Sequence, residues 1–452
     1  MPQPHVAAQQ SEKRVNNFNE VSLGFSRKIA TEEARRCLQC QSPLCVDGCP
    51  IGVDIPAFVR QVRDGNLNGA YQVIRDTNPL PAICGRICSA QCESQCVLKD
   101  KDGAIAIRAL ERFAADFGRT RMVKPKLVDR TAKKIAIIGS GPTGLSAAFV
   151  LSQRGFSVTI FESFDRAGGM LRYGVPEFRV PKKILDSEIN DIRSLDVKLE
   201  MNCLVGRTFT LDELFNREGY HAVLLATGAA VPRFLDVPGV NLGGVYYGEE
   251  FLMRVNLMKT GIFSRYIPNF VIGSKILVVG SGNTALDCAR SAVRLGREVH
   301  LIFKATEDDM RVRSIEREYA KEEGVKMESL ARPVEIIGGP DNFVKTVKCV
   351  RMDYAQLDKK GNWTLDEVPG SEFEIEADTV IVAIGHKPNG LLAKLCPGLE
   401  IAEDGTIEVD EDGLTTLNRV YAAGNVVSNA RPFIDAVASG MLVAESMAEK
   451  IN

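Results

Sequence analysis

The sequence predicts an α/β chain in which an α-helical, cysteine-rich N-terminal domain precedes two doubly wound parallel-sheet domains. Three observations predict it. Eight of the twelve cysteines fall between Cys37 and Cys96. Beyond that region, short apolar runs alternate with helical patterns, the mark of a parallel sheet with crossover helices. The unit that opens with KKIAIIG then recurs at SKILVVG (274–280).

Composition bounds the function. The chain has 452 residues, 45% hydrophobic and 25% charged, with a formal net charge of −2. As a prior this allows about three domains. The charge balance excludes a generally basic nucleic-acid binder. No apolar run approaches the ~20 residues that span a bilayer, so no membrane association is expected. MPQPHVAAQQSEKRVNNF carries no apolar signal region, which predicts a cytoplasmic protein. In that compartment clustered thiols bind metal rather than form a disulfide framework. A single Trp and 7% aromatics argue against propeller-type repeats.

Each element follows from local pattern. EEARRCLQC, IPAFVRQVRDG and AIAIRALERFAADFG read as helices, the last with a stripe of Ile105, Ile107, Leu110, Phe113 and Ala114. RTRMVKPKLVDRTAKK (119–134) is polar and basic and reads as a domain linker, with a docking surface for an acidic electron carrier as the alternative. KKIAIIG, PTGLSAAFVLSQRG and SVTIFE then give strand, helix and strand, and SKILVVG, NTALDCARSAVRLG and EVHLIF repeat the order. Gly338–Glu376 reads as hairpin strands and loops, and DTVIVAIGHKPN leads back out of that domain. VYAAGNVV and PFIDAVASGMLVAESMAEKI supply a strand, a turn and a final helix. The expected domains are 1–127, then a discontinuous unit of 128–237 and 386–452, with 238–385 inserted.

The cysteines run Cys37-x2-Cys40-x4-Cys45-x3-Cys49-Pro50, then Cys84-x3-Cys88-x3-Cys92-x3-Cys96. Bacterial ferredoxins use C-x2-C-x2-C-x3-C-P, and their fourth cysteine ligates the other cluster. Thiolates suit zinc or iron–sulfur centres. Zinc sites normally separate their ligand pairs by a longer loop, so iron–sulfur clusters are the expectation. Spacing leaves the ligand sets open. If Cys49 crosses over, Cys37, Cys40 and Cys45 lack a fourth ligand. Cys49 is then joined by three of Cys84, Cys88, Cys92 and Cys96. The missing ligand is the leftover cysteine or an oxygen. Cys203 and Cys288 are lone and read as buried small hydrophobes, so a thioredoxin-reductase-like dithiol mechanism is not expected.

Two glycine fingerprints follow. The first is Gly139-Ser140-Gly141-Pro142-Thr143-Gly144, with Glu162 closing the next strand. Gly139 allows the tight turn, Gly141 lets a pyrophosphate approach the helix N-terminus, and Gly144 lets helix pack on strand. A carboxylate at Glu162 suits a ribose 2′-hydroxyl. The second is Gly280-Ser281-Gly282-Asn283-Thr284-Ala285, whose next strand ends in Phe303-Lys304 without a carboxylate. That absence favours NADP over NAD, with Lys304 on the 2′-phosphate; a solvated strand-end charge is the alternative. Glu307, Asp308 and Asp309 would oppose a phosphate if they faced it, and Arg311 and Arg313 would offset them. LLATGA (224–229), with Thr227 and Gly228, and VIVAIGHKPN (380–389), with Gly385, resemble the crossings between FAD and NAD(P)H domains. AAGNV (422–426) resembles a C-terminal FAD contact. The fold class is thus an N-terminal helical iron–sulfur domain followed by two Rossmann-like dinucleotide-binding domains.

Nearly the whole chain resembles the glutamate synthase small-subunit family. Its relatives include the large subunit of NADH-dependent ferredoxin:NADP oxidoreductase, sulfide dehydrogenase flavoprotein subunits and the N-terminal half of dihydropyrimidine dehydrogenase. The resemblance is carried by RCLQCQSPLCVDGCP, CGRICSAQCESQC, AIRALERFAADF, GSGPTGLSAA, GGMLRYGVPEFRVPK, EEFLMRVNLMK, VVGSGNTALDCARSAVRLG and VIVAIGHKPN. VNNFNEVSLGFS and RVNLMK are most similar to the ferredoxin:NADP and sulfide dehydrogenase branch.

The resemblance implies FAD, NADP(H) with NAD(H) as alternative, and two [4Fe–4S] clusters. It assigns one cluster to Cys37, Cys40, Cys45 and Glu111, the other to Cys49, Cys88, Cys92 and Cys96, and leaves Cys84 out. It implies a flavin site of Gly139, Gly141, Gly144, Glu162, Gly169, Leu171, Arg179, Gly424 and Asn425, with Ser163, Met170, Arg172, Gly174 and Val175 in the same segments. Family members commonly carry two arginines where this chain has Lys304-Ala305, and Gly-Asp where it has Gly424-Asn425.

The expected function is an oxidoreductase that passes electrons between NAD(P)H and a partner protein or ferredoxin, as part of a hetero-oligomer. Hydride passes between nicotinamide and FAD, and the clusters take electrons singly, so no side-chain acid or base is nominated. The alternatives are the small subunit of NADPH-dependent glutamate synthase, which needs a separate large subunit, and a non-catalytic redox sensor or scaffold.

Overall fold

The computed structural model describes residues 2–119, 131–258, 271–357, 363–428 and 432–451. Most of the linker expected at 119–134 lies outside them. The N-terminal domain is built from helices Arg27–Arg36, Ile55–Arg63, Leu67–Arg75, Pro81–Ile87 and Ile107–Gly118, with the cysteines on the turns between. Side chains start three of these helices. Ser26 accepts from the Ile29 amide, Asp54 from Ala57, and Asn66 from Gly69, each satisfying a helix-start donor. Phe58, Val59, Ile74, Ile83 and Leu110 are buried where these helices meet.

The N-terminal arm departs from the expected helices and loops. Ala7–Ala8 and Ser22–Gly24 pair antiparallel. Arg14, between them, reaches Glu322 and Glu323 at 2.7 and 2.8 Å in the third domain. The arm therefore packs on a domain far away in sequence.

Each fingerprint strand lies inside a five-stranded parallel sheet. The first sheet runs Val420–Ala422, Ala222–Leu225, Lys134–Ile138, Ser157–Phe161, Lys198–Glu200. The second runs Lys326–Glu328, Glu298–Ile302, Lys275–Val279, Thr379–Val382, Val245–Tyr247. The chain leaves the first sheet through Val231–Pro232 and returns through His386–Lys387, and these two segments pair antiparallel. An antiparallel layer of Ala331–Gly338, Val344–Leu357, Trp363–Glu367 and Phe373–Glu376 covers the second sheet, starting earlier than the sequence pattern indicated. The last helix, Phe433–Ile451, packs along Pro142–Gln153, and Thr143 Oγ1 donates to the Ala436 carbonyl at 3.0 Å. No helix among the described residues is long and apolar enough to cross a membrane.

Candidate functional site

The cysteines fall into two groups. Cys37 closes the helix Arg27–Arg36, and Cys45 sits in the turn Leu44–Asp47. These two line one cavity with Cys40 and Cys96, walled by Ile55, Ile105 and Ile107. Burial pushes the Cys45 thiol up to about 11, and its neighbours Cys37, Cys96 and Cys40 push the same way. No three His, Cys, Asp or Glu side chains among the described residues converge on a single ion. The thiols border a cavity instead.

Cys49, Cys88 and Cys92 form the second group, and Cys84 lies close enough to feel Glu111 and Cys88 as well. Burial raises each thiol, and the Glu111 carboxylate raises each further. Glu111 is itself pushed up to about 8 by burial. Its Oε1 accepts from Asn78 Nδ2 at 2.7 Å, and Asn78 Oδ1 lies 3.5 Å from Cys84 Sγ. Burial, with Glu111 and Cys88 adding to it, pushes the Cys84 thiol well above its ordinary range too. A metal centre reverses such shifts, because a coordinating thiol is deprotonated outright.

This grouping departs from the expected ligand sets: Cys96 and Glu111 change places. Cys92 and Cys96 have the i, i+4 spacing that puts two side chains on one helix face. The helix ends at Ser94, however, so Cys92 turns toward Glu111 and Cys96 toward Cys37 and Cys45.

The first fingerprint forms a tight cradle. Gly139 holds φ at +111°, and a Cβ there would lie 2.5 Å from the Ala226 carbonyl oxygen. A Cβ on Gly141 would meet nothing within 4 Å, so the N-terminus of Pro142–Gln153 opens onto space that a pyrophosphate fits. Gly169 and Gly424 close the sides. A Cβ on Gly169 would fall 2.8 Å from Gly141 Cα, and one on Gly424 would overlap Thr143 Oγ1. The Glu162 carboxylate accepts from Ser140 N and Phe164 N, both at 3.0 Å, and from Ser163 Oγ at 3.2 Å. Ser140 Oγ donates to it as well, so the carboxylate ties strand end to loop through four bonds, and a ribose hydroxyl would take the place of one of the serine hydroxyl donors.

Two expected flavin contacts are engaged elsewhere. The Arg172 guanidinium is held by the Ala167 carbonyl and Asp186. Arg179 Nη1 pairs with both carboxylate oxygens of Asp287, on the second fingerprint helix. Arg179 nevertheless lines the cleft, and its buried Nε has no hydrogen-bond partner among the described residues.

One large cleft joins the remaining parts. It is lined by Gly280, Ser281, Gly282, Asn283 and Thr284 of the second fingerprint, and by Lys304 and Gly385. Met170, Gly174, Val175 and Asn425 of the flavin segments line it too, as do Ile87 and Ser89, which flank Cys88. Ala285 is buried beneath the turn. At the Lys304 end, Arg311, Arg313 and Arg332 also face the cleft. Arg313 is tied to Glu316 and Arg332 to Glu367. The acids that would oppose a phosphate are mostly turned away. Glu307 pairs with Lys321 at 2.6 Å and Asp308 with Arg317 at 3.5 Å. Asp309 lines the cleft but accepts from Thr306 N at 3.2 Å and from the Tyr354 hydroxyl. Arg332 and Asp287 were not singled out in the sequence: one arrives on the hairpin layer, and the other is buried on the second fingerprint helix with no motif of its own.

Comparison with known proteins agrees with this layout. A profile described as dihydropyrimidine dehydrogenase domain II, 4Fe-4S cluster, matches residues 14–123, and one described as pyridine nucleotide-disulphide oxidoreductase matches 133–440. The chain is 34% identical to the glutamate synthase [NADPH] small chain of Azospirillum brasilense, across 99% of this chain and 93% of that one. It is 37% identical to the NADP(+)-dependent formate dehydrogenase subunit beta of Moorella thermoacetica, across 89% of this chain but only 59% of that longer one. Among solved structures, Mycobacterium tuberculosis FprA in complex with NADPH superposes with a TM-score of 0.59 at 19% identity, over 71% of this chain and 84% of that one. That last likeness is one of fold.

Proposed function

The chain belongs to the glutamate synthase small-subunit family of FAD- and iron–sulfur-dependent oxidoreductases, and from that premise we propose that it carries electrons between NADP(H) and a redox partner subunit. The observation that carries this reading is the shared cleft. The nicotinamide fingerprint, the flavin segments and the residues beside Cys88 all border it, which supports a reading in which three carriers meet there.

Bound FAD would supply hydride exchange with the nicotinamide and single-electron exchange with the clusters, which is the cofactors' own chemistry. The protein's part is positioning. The N-termini of Pro142–Gln153 and Asn283–Arg294 receive the two pyrophosphates, Gly282 leaving the same open space as Gly141. Glu162 presents its carboxylate to a ribose, and Lys304 with Arg311 presents positive charge to a 2′-phosphate. Cys49, Cys88, Cys92 and Glu111 hold the cluster beside the cleft, and Cys37, Cys40, Cys45 and Cys96 hold the other. Leu38, Leu44 and Val97 border that second cavity and stand exposed, which supports a partner subunit docking there and receiving electrons. We place the protein in the cytoplasm as part of a hetero-oligomer, with ferredoxin or a larger catalytic subunit as that partner.

Anaerobically purified protein tests this. It should contain roughly eight iron and eight acid-labile sulfides per chain, as two four-iron clusters require. NADPH should bleach its flavin, and an artificial acceptor should sustain turnover. Stoichiometric zinc without labile sulfide, or a flavin that NADPH leaves oxidised, would overturn the reading.

A further inference from the structure

Glu249 and His386 stand in the cleft without a role in the account above. Glu249 opens the helix Gly248–Met258 just after the strand Val245–Tyr247, and His386 follows the strand Thr379–Val382. The Glu249 Oε1 and His386 Nε2 atoms lie 3.1 Å apart, and both residues line the cleft. Glu249 is only 8% exposed, yet no hydrogen bond to its carboxylate is found among the described residues. Its carboxylate opens onto the cleft beside the His386 ring nitrogen, where the donor of a bound ligand can reach it.

Sheet order says what arrives there. The fingerprint strand Lys275–Val279 has Glu298–Ile302 on one side and Thr379–Val382 with Val245–Tyr247 on the other. A dinucleotide straddles the first strand with its pyrophosphate on the glycine turn. Lys304 ends the first of those neighbours and takes the adenosine half. The nicotinamide half then lies over the ends of the other two strands, where His386 and Glu249 sit. Gly248 confirms the closeness: a Cβ on it would fall 3.0 Å from Thr284 Cγ2.

We propose that Glu249, set against His386, accepts a hydrogen bond from the nicotinamide carboxamide N–H and so fixes the rotation of the ring in the cleft. This rests on the reading that the second fingerprint takes NADP(H). The carboxamide offers two N–H donors and one carbonyl, and Glu249 is a mostly buried acceptor on the cleft, with His386 Nε2 3.1 Å from one oxygen and the other open to a ligand. Burial pushes Glu249 up to about 7 and His386 down. A charged pair would move both the other way, so the two groups are not locked together as imidazolium and carboxylate.

Equilibrium titration of the holoprotein with three ligands decides. NADP+ carries the carboxamide, its 3-acetylpyridine analogue keeps the carbonyl but lacks the N–H, and 2′,5′-ADP lacks the nicotinamide half. The wild type should prefer NADP+ over the analogue by about tenfold or more, the value of a hydrogen bond to a charged group. Glu249→Ala should bring that ratio close to one while binding 2′,5′-ADP as the wild type does. Glu249→Gln, which keeps a carbonyl acceptor, should restore part of the ratio, and it carries the test if Glu249→Ala does not fold. A wild type that does not discriminate, or a Glu249→Ala variant that keeps the full ratio, overturns the proposal alone. Failure of the wild type to bind either NADP+ or 2′,5′-ADP overturns the NADP(H) reading beneath it.

Discussion

Arg179 Nη1 lies 3.0 and 2.9 Å from the two carboxylate oxygens of Asp287, joining a loop of the first sheet's domain to the fingerprint helix of the second. The contact is part of a buried charge network. Phe178, next to Arg179, is covered by the guanidinium of Arg294 at 4.0 Å and of Arg290 at 4.9 Å. Arg290 pairs with Glu316 and Glu323, and Arg14 of the N-terminal arm reaches Glu323 as well. Three parts of the chain thus meet through arginine and glutamate, which fixes how the two dinucleotide sites face each other.

Removing one member of a buried pair strands the other charge, at a cost of about 3–5 kcal/mol. Asp287→Ala should therefore lose about 3 kcal/mol of stability, read from denaturant unfolding of the holoprotein. The double variant Arg179→Met with Asp287→Leu should recover most of that loss, because an apolar pair of similar volume leaves no charge uncompensated. A single variant of wild-type stability would show that the network contributes nothing at this contact.

The same network predicts acid sensitivity. Burial alone would raise the Glu323 carboxyl, but Arg294 and Arg290 overcome it and hold it at about 2. A depressed folded pKa adds stability that is fully present above the unfolded value of 4.5 and lost as pH falls toward about 2. Wild-type stability should therefore drop across that window. Glu323→Gln should be less stable near neutrality and decline more gently on acidification, measured by unfolding at a series of pH values.

The two dinucleotide domains were legible because their signals are local: a strand, a glycine turn and a helix within one short stretch, twice over. The hairpin layer was legible from its turn residues. The N-terminal arm was not, since the bond from Arg14 to Glu323 spans most of the chain and leaves no periodic trace. Glu249 and His386 were invisible for the same reason: each is ordinary in its own segment, and only the order of strands in the sheet brings them together. The cysteine spacing announced iron–sulfur chemistry but not its partition. A helix that stops at Ser94 cannot be read from evenly spaced cysteines.

Coenzyme choice should depend on the basic end of the cleft. Lys304 and Arg311 line it and have no ion-pair partner among the described residues, whereas Arg313 and Arg332 are held by glutamates. A hydrogen bond to a charged group contributes about 1.5–3 kcal/mol, or roughly 10–150-fold in affinity. Lys304→Ala and Arg311→Ala should each weaken NADPH binding within that range and leave NADH binding nearly unchanged. Titration of both coenzymes checks it, and an equal loss for NADH would move the phosphate site elsewhere.

The sharpest consequence concerns the cluster ligands. Cys96 shares a cavity with Cys37, Cys40 and Cys45, while Glu111 stands among Cys49, Cys88 and Cys92. Cys96→Ser should therefore disturb the cluster farther from the cleft, and Glu111→Ala the cluster beside it. A carboxylate is a harder ligand than a thiolate, so the cluster that Glu111 serves should differ in potential from its all-cysteine neighbour. Cys84→Ser should leave both clusters intact, because its thiol is turned to Asn78 Oδ1 at 3.5 Å. Iron content and EPR of the stepwise-reduced protein separate these outcomes, since Cys96→Ser and Glu111→Ala should each alter one signal and spare the other, and Cys84→Ser should spare both. Were Cys96→Ser and Glu111→Ala to alter the same signal, both residues would serve one centre. Were Cys84→Ser to lose iron where Glu111→Ala does not, the cluster beside the cleft would be held by four cysteines, and Glu111 would act only through its hydrogen bond with Asn78.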